Sequence, residues 1–448
     1  MNRAVMERSE CSARMLSELG LSSIDDLFID IPKEVRTGGL DLPGGMDELE
    51  LSRHVRHLLS SNKPVSDWLS FLGGGVYYHH IPAAVNSVAS RSEFMTSYTP
   101  YQSEISQGML QALFEYQSFM AELTRIDIIN SSMYDASTAL GEAALMSHRI
   151  SGGNRFLVSR AISPERLAVA RLYAKGADLE IALVDYDKES GLVDTADLDA
   201  KMSEDVCGVC FETPNFFGGL ETGWKEIREV TGEKTLVIGA NPLALALIKP
   251  PGEMGADIVY GDAQVLGVPM NLGGPSIGIF GCRSEHLRKM PGRLIGMTED
   301  ADGRRSYCMT LQTREQHIRR SKATSNICTN EALLAVAVAA HIAVLGRAGL
   351  RSTARRNVQN MSGLAKCIDS IDGFSAPAFD APHFNEFVVR APVEIEALNR
   401  SLREKRIHGG LAVERWFPEL KNCALVATTE MHTSEDHRRL IDGLEAMM

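Results

Sequence analysis

The sequence predicts an α/β protein with a large domain built on a mostly parallel sheet, a smaller C-terminal α/β domain and an N-terminal helical arm. Three observations predict it. Short apolar runs, RFLVSRAI, LEIALVD, VCGVCFET, KTLVIGA and ADIVYGD, recur between helical or turn-rich segments. They lack strict alternation, as strands buried on both faces do. A long apolar helical pattern then separates them from a last stretch in which strand-like and helical segments alternate again. The 448 residues, 44% of them hydrophobic, suffice for a substantial core and exclude a small disulfide-stapled scaffold.

Taken in order, residues 1–70 read as short helices joined by turns. In SSIDDLFIDIP, Ser22 or Ser23 offers an N-cap with acids in the first turn, and Pro32 ends the run. PGGMDELELSRHVRHLLSS gives a second helix; these residues carry too few apolar side chains for a core of their own. Gln107–Thr124 spaces its apolar residues three and four apart, as an amphipathic helix does. The five strand-like runs fill the large domain, 71–330. A long helix, 329–347 and resuming to about residue 370, leads into 331–448, the linking helix and small domain. There EFVVRA and ALVATTEM read as strands and EIEALNRSLREKRI as a helix, and Thr433 with Asp436 starts the last helix.

The formal net charge of −12 argues against a nucleic-acid or anionic-membrane partner. The segment MNRAVMERSECSARM has no continuous apolar stretch of a secretory signal, and the apolar stretch 332–346 is too short for a bilayer, so a cytoplasmic location is expected. Cys207 and Cys210 lack a second ligand pair for zinc and read as buried strand thiols.

This layout is shared by fold-type I pyridoxal-phosphate enzymes and by many others. The cofactor makes checkable demands: a lysine for the imine, an acid against the pyridinium nitrogen and a cup of donors for the phosphate. The segment with the character of the lysine loop, ADIVYGDAQVLGVPMNLGGP, contains no lysine. Lys249 stands in ALIKPPGE, away from a strand end, and Lys322 in a basic surface-like run.

Six ordered segments then carry a resemblance: FLGGGVYYHHIPAAV (71–85), SYTPYQSEISQGMLQALFEYQ (97–117), DASTALGEAALM (135–146), ETPNFFGGLE (212–221), VLGVPMNLGGPSIGIF (265–280) and QTREQHIRRSKATSNICTN (312–330). Together they resemble the glycine cleavage system P-protein family, and within it the N-terminal half made by many microbes as a separate subunit 1, or alpha. The resemblance implies a fold-type I enzyme subunit, with subunit 2 carrying the imine lysine and the pyridoxal phosphate. It places Gln264 at the lysine position and Ile238 at the position of the acid. It also implies glycine as substrate, transfer of the aminomethyl group to the lipoyl arm of the H-protein, and an α2β2 assembly with subunit 2 (beta). No metal is expected. The alternatives are a self-sufficient fold-type I lyase or aminotransferase, and a purely structural pseudoenzyme subunit.

The residues that this half can offer in trans follow. Tyr98, Tyr101 and Gln102 sit in YTPYQ, where a Thr-Pro turn places both phenols on a loop; the alternative is packing with a satisfied hydroxyl. His79 and His80 follow three glycines and offer imidazoles for proton transfer near pH 7, although adjacent residues of an extended segment point to opposite sides. Ser325, Asn326 and Thr329, with Thr324, either bind a phosphate across an interface or cap the long helix. The Gly273-Gly274-Pro275 loop is expected to keep backbone shape only.

Overall fold

Seven strands form the central sheet of the computed structural model, which describes residues 9–39, 41–271 and 274–447. From edge to edge they run Ile128–Ile129, Gly278–Cys282, Ile258–Asp262, Thr235–Ala240, Val206–Thr213, Arg155–Ser159 and Glu180–Val184. Gly278–Cys282 is antiparallel to both neighbours, and the other pairings in the sheet are parallel. Every residue of Val206–Thr213 is buried, because helices cover both faces of the sheet. Cys207 and Cys210 lie in this strand, and burial pushes the Cys207 thiol up to about 12.

The helix Gln107–Thr124 buries Met109, Leu110, Leu113, Tyr116 and Met120, the stripe its spacing dictates. Each such side chain contributes roughly 1.5–3 kcal/mol by leaving water. The long helix Ala332–Asp369 packs its first half into the same core through Ala335, Val336, Val338 and Ile342. By length and composition it is apolar enough to cross a bilayer. Its backbone is broken at Gly346, with φ 57° and ψ −174°, a region that essentially only glycine enters.

The chain divides into two units, Met1–Asp67 and Trp68–Met448. In the first, Ser23 caps the turn Ile24–Phe28 in a reciprocal arrangement with Asp26, and the helix Glu48–Leu59 buries none of its residues. In the second, the C-terminal antiparallel sheet orders Glu386–Arg390, Cys423–Ala427 and Leu411–Ala412, backed by Ile395–Glu404 and Ser434–Glu445. Leu69 and Ser70, assigned to the arm by sequence, pair in parallel with Ile407 and His408 instead, and Ala427 N donates to Phe71 O at 2.9 Å. The chain from residue 68 is thus woven into the C-terminal sheet before it enters the large sheet.

Candidate functional site

Ligands of open α/β sheets sit beyond the carboxyl ends of the strands. There Glu212, Gly239, Ala240 and Asp262 meet the start of the helix Pro164–Lys175, the Gly74–Tyr77 segment and Glu386 of the C-terminal sheet. The place is filled by protein. Arg166 pairs with Glu212 at 2.6 Å, and Tyr260 OH donates to the same carboxylate at 2.8 Å. Tyr77 OH donates to Glu386, and Gly74 N donates to it at 2.5 Å. Burial raises the Glu386 carboxyl to about 7, against those two hydrogen bonds and the Arg166 charge.

What remains free is a cavity of about 40 Å³, room for water but far below the roughly 300–1,000 Å³ of a small-molecule pocket. Gln264 lies beside it with its amide fully used. Its nitrogen donates to Tyr77 O and Val268 O, both at 2.9 Å, and its oxygen accepts from Tyr77 N at 3.0 Å. Ile238 lies within Thr235–Ala240, in register with Phe211 and Val259, and its side chain belongs to the apolar core. The strand continues for two residues beyond Ile238.

The N-terminus of the helix Ala136–Ser151, at the same end of the sheet, is also taken. Asp135 accepts from Thr138 N at 2.7 Å, and Asp262 accepts from Ala136 N at 3.3 Å, so carboxylates of the chain stand where an anion would bind. Burial raises Asp262, which Ser276 and Gln264 N hydrogen-bond. Pyridoxal phosphate does not fit here: no lysine lines the place, its carboxylates and Arg166 are bound to one another and to the fold, and the free volume is too small. Lys249 is paired with Glu253 at 3.3 Å on the surface, and Lys322 is exposed. Of the Gly273-Gly274-Pro275 loop, Gly273 lies outside the described residues.

The other sequence-selected residues fall into two groups. His79 is buried and His80 exposed, the opposed directions of an extended segment. Glu430 joins them, with His79 Nδ1 at 2.9 Å and His80 N donating at 2.7 Å. His341 is their electrostatic neighbour, and burial lowers it to about 4.

The second group is an exposed locus. Tyr98 is 75% exposed and has no hydrogen-bond partner among the described residues, Tyr101 is 57% exposed, and Gln102 is exposed. Exposure and an unpartnered hydroxyl set Tyr98 apart from the packing alternative, whereas the Tyr101 hydroxyl accepts from Arg293. Asn326 is exposed and Thr329 half-buried. Ser325 donates to the buried Glu142 at 2.5 Å and accepts from Ile327 N at 3.0 Å, which ties its hydroxyl into the fold. None of Thr324, Ser325 and Thr329 caps the long helix. Its first turn begins at Ala332, and Ser132 Oγ accepts from Glu331 N at 3.0 Å.

Arg293 joins the YTPYQ loop to the 324–330 segment. It donates to Thr99 Oγ1 and Asn330 Oδ1, both at 3.1 Å, to Tyr101 OH at 3.3 Å and to Cys328 O. Below it, Ser131 N donates to Arg293 O at 2.8 Å, and Asn330 Nδ2 donates to Ser131 O at 3.1 Å. Ser132 adopts φ 136°, strain held in place by this polar cluster. The sequence reading missed Arg293, Asn330, Arg166, Glu212 and Glu386. The one local signal was a lone arginine in PGRLIGM ahead of an apolar run.

The description "Glycine cleavage system P-protein" matches residues 2–444. A probable glycine dehydrogenase (decarboxylating) subunit 1 of Pyrococcus abyssi is 48% identical over 454 residues, with all of both chains covered. Among solved structures, an inhibitor-bound glycine decarboxylase (P-protein) of the glycine cleavage system matches with TM-score 0.92 and 39% identity, covering 100% of both chains. The C-DES protein with glycine covalently linked to its PLP cofactor shares the fold at TM-score 0.62 and 14% identity, covering 87% of this chain and 98% of that one. The architecture is thus that of the fold-type I pyridoxal-phosphate enzymes.

Proposed function

Because this chain belongs to the glycine cleavage system P-protein family, we propose that it is the lysine-free subunit of glycine decarboxylase, active only with subunit 2. Subunit 2 holds the pyridoxal phosphate, which supplies the electron-withdrawing ring for loss of carbon dioxide from glycine. The single observation that carries this reading is the filled pocket: Gln264 clamps the Tyr77 backbone where an imine lysine is required. The assembly is α2β2 and cytoplasmic, and the aminomethyl product leaves on the lipoyl arm of the H-protein.

In this reading the chain works from its surface. Tyr98 and Tyr101 present phenols on a loop, Gln102 adds an amide, and Asn326 and Thr329 stand on the adjoining segment. Fold-type I active sites lie at subunit boundaries, where such groups reach a neighbour's substrate. His79 and His80 take a lesser part, since His79 is already engaged by Glu430.

The test is reconstitution. Neither chain alone exchanges the glycine carboxyl carbon with bicarbonate, and the pair does so in the presence of H-protein. A hydrogen bond from a phenol to a charged group is worth about 1.5–3 kcal/mol, one to two decades in rate if expressed in the transition state. Tyr98→Phe and Tyr101→Phe each lower exchange with assembly intact. Wild-type rates in both variants would remove the trans contribution.

A further inference from the structure

Arg293 is 4% exposed, yet among the described residues no carboxylate lies within ion-pair distance of it. A buried guanidinium without a counter-charge is costly unless its hydrogen bonds are made. Thr99, Tyr101, Asn330 and Cys328 supply four neutral acceptors, and Nε has no partner. The positive charge is therefore hydrogen-bonded but not neutralised, in a chain whose formal net charge is −12. Its Cζ lies 5.6 Å from the centroid of the Tyr101 ring.

The geometry at Tyr101 has a direction. Arg293 Nη2 donates to the phenolic oxygen, so the hydrogen of that hydroxyl points elsewhere, and no acceptor for it exists among the described residues. A phenol that accepts from a cation is a stronger donor on its free side. Arginine is suited to this task because its planar fork holds several acceptors at once, where an ammonium offers a single compact charge.

We propose that Arg293 is a positioning residue. It fixes the loop of Tyr98 and Tyr101 and turns the Tyr101 hydroxyl outward as a donor to an oxyanion at the subunit boundary. That oxyanion is either the carboxylate of glycine or the phosphate of the cofactor held by subunit 2. The proposal rests on the reading that these phenols act in trans.

The test is a double-mutant cycle in the reconstituted complex, reading glycine–bicarbonate exchange, cofactor retention and sedimentation together. Arg293→Gln and Tyr101→Phe should each lower kcat/KM by roughly ten- to a hundredfold, the range of a charge-assisted hydrogen bond. The double variant should lose no more than the worse single one, because both remove the same donor. Arg293→Lys, which keeps the charge, should recover part of the loss; if Arg293→Gln does not assemble, the cycle is run with the lysine variant. A raised KM for glycine with cofactor retained identifies the carboxylate, and loosened cofactor at unchanged glycine KM identifies the phosphate. Losses that multiply in the double variant overturn the proposal while leaving the trans role of Tyr101 standing. A Tyr101→Phe variant at wild-type rate overturns that role as well.

Discussion

Glu386 shows how one buried residue carries a measurable consequence. Its carboxyl rises in the fold from the ordinary 4.5 to about 7, chiefly by burial. The native state therefore binds a proton that the unfolded chain has already released across this interval, and stability falls as pH rises from about 4.5 to 7. At roughly 1.4 kcal/mol per pH unit, the loss approaches about 3 kcal/mol. His341 and His437 act oppositely: burial lowers both to about 4, so their contribution is present above 6.5 and fades as pH falls toward 4. Glu386→Gln isolates the first effect. The difference in urea-unfolding free energy between variant and wild type should change by a few kcal/mol across pH 4.5 to 7, and a flat difference refutes the assignment.

Residues of this kind were not legible in the sequence. Tyr77 and Glu386 are 309 positions apart, and Arg293 meets Tyr101 across 192. A local pattern announces neither pair. The identities at Gln264 and Ile238 were legible, because the absence of a lysine or an acid needs no partner to be read.

At the scale of elements the reverse holds. The strand-like runs, the Gln107–Thr124 helix and the Thr433–Asp436 cap follow from periodicity and local hydrogen bonding, which a short window contains. The strand Gly278–Cys282 escaped as a separate element because its glycines weaken the apolar signal. The break in Ala332–Asp369 belongs to this scale too. Nothing lies within 4 Å of a Cβ built at Gly346, so substitution there costs backbone strain alone. Gly346→Ala should destabilise the protein by about 1–3 kcal/mol, read as a lower urea midpoint at unchanged slope. A neutral or stabilised variant would show that the two halves run as one helix.

At the scale of the whole molecule, the unit Met1–Asp67 stands apart in composition of its surface. Leu49, Leu51, Val55, Leu58 and Leu59 of its helix are all exposed, an apolar patch of the sort that marks interfaces. Trp68–Met448 has its own core, so deletion of residues 1–67 should leave a folded chain. That chain should associate with subunit 2 at least tenfold more weakly in sedimentation equilibrium, and unchanged affinity would assign the patch no part in assembly.

The proposed function puts the cofactor of the assembled enzyme on the other subunit. Borohydride reduction of the reconstituted complex, followed by peptide mass mapping of both chains, tests it most directly. A pyridoxyl-lysine is expected in subunit 2 and none in this chain, with Gln264 unmodified and every lysine, Lys249 and Lys322 included, free of the label. A stoichiometric pyridoxyl group on any lysine of this chain contradicts it.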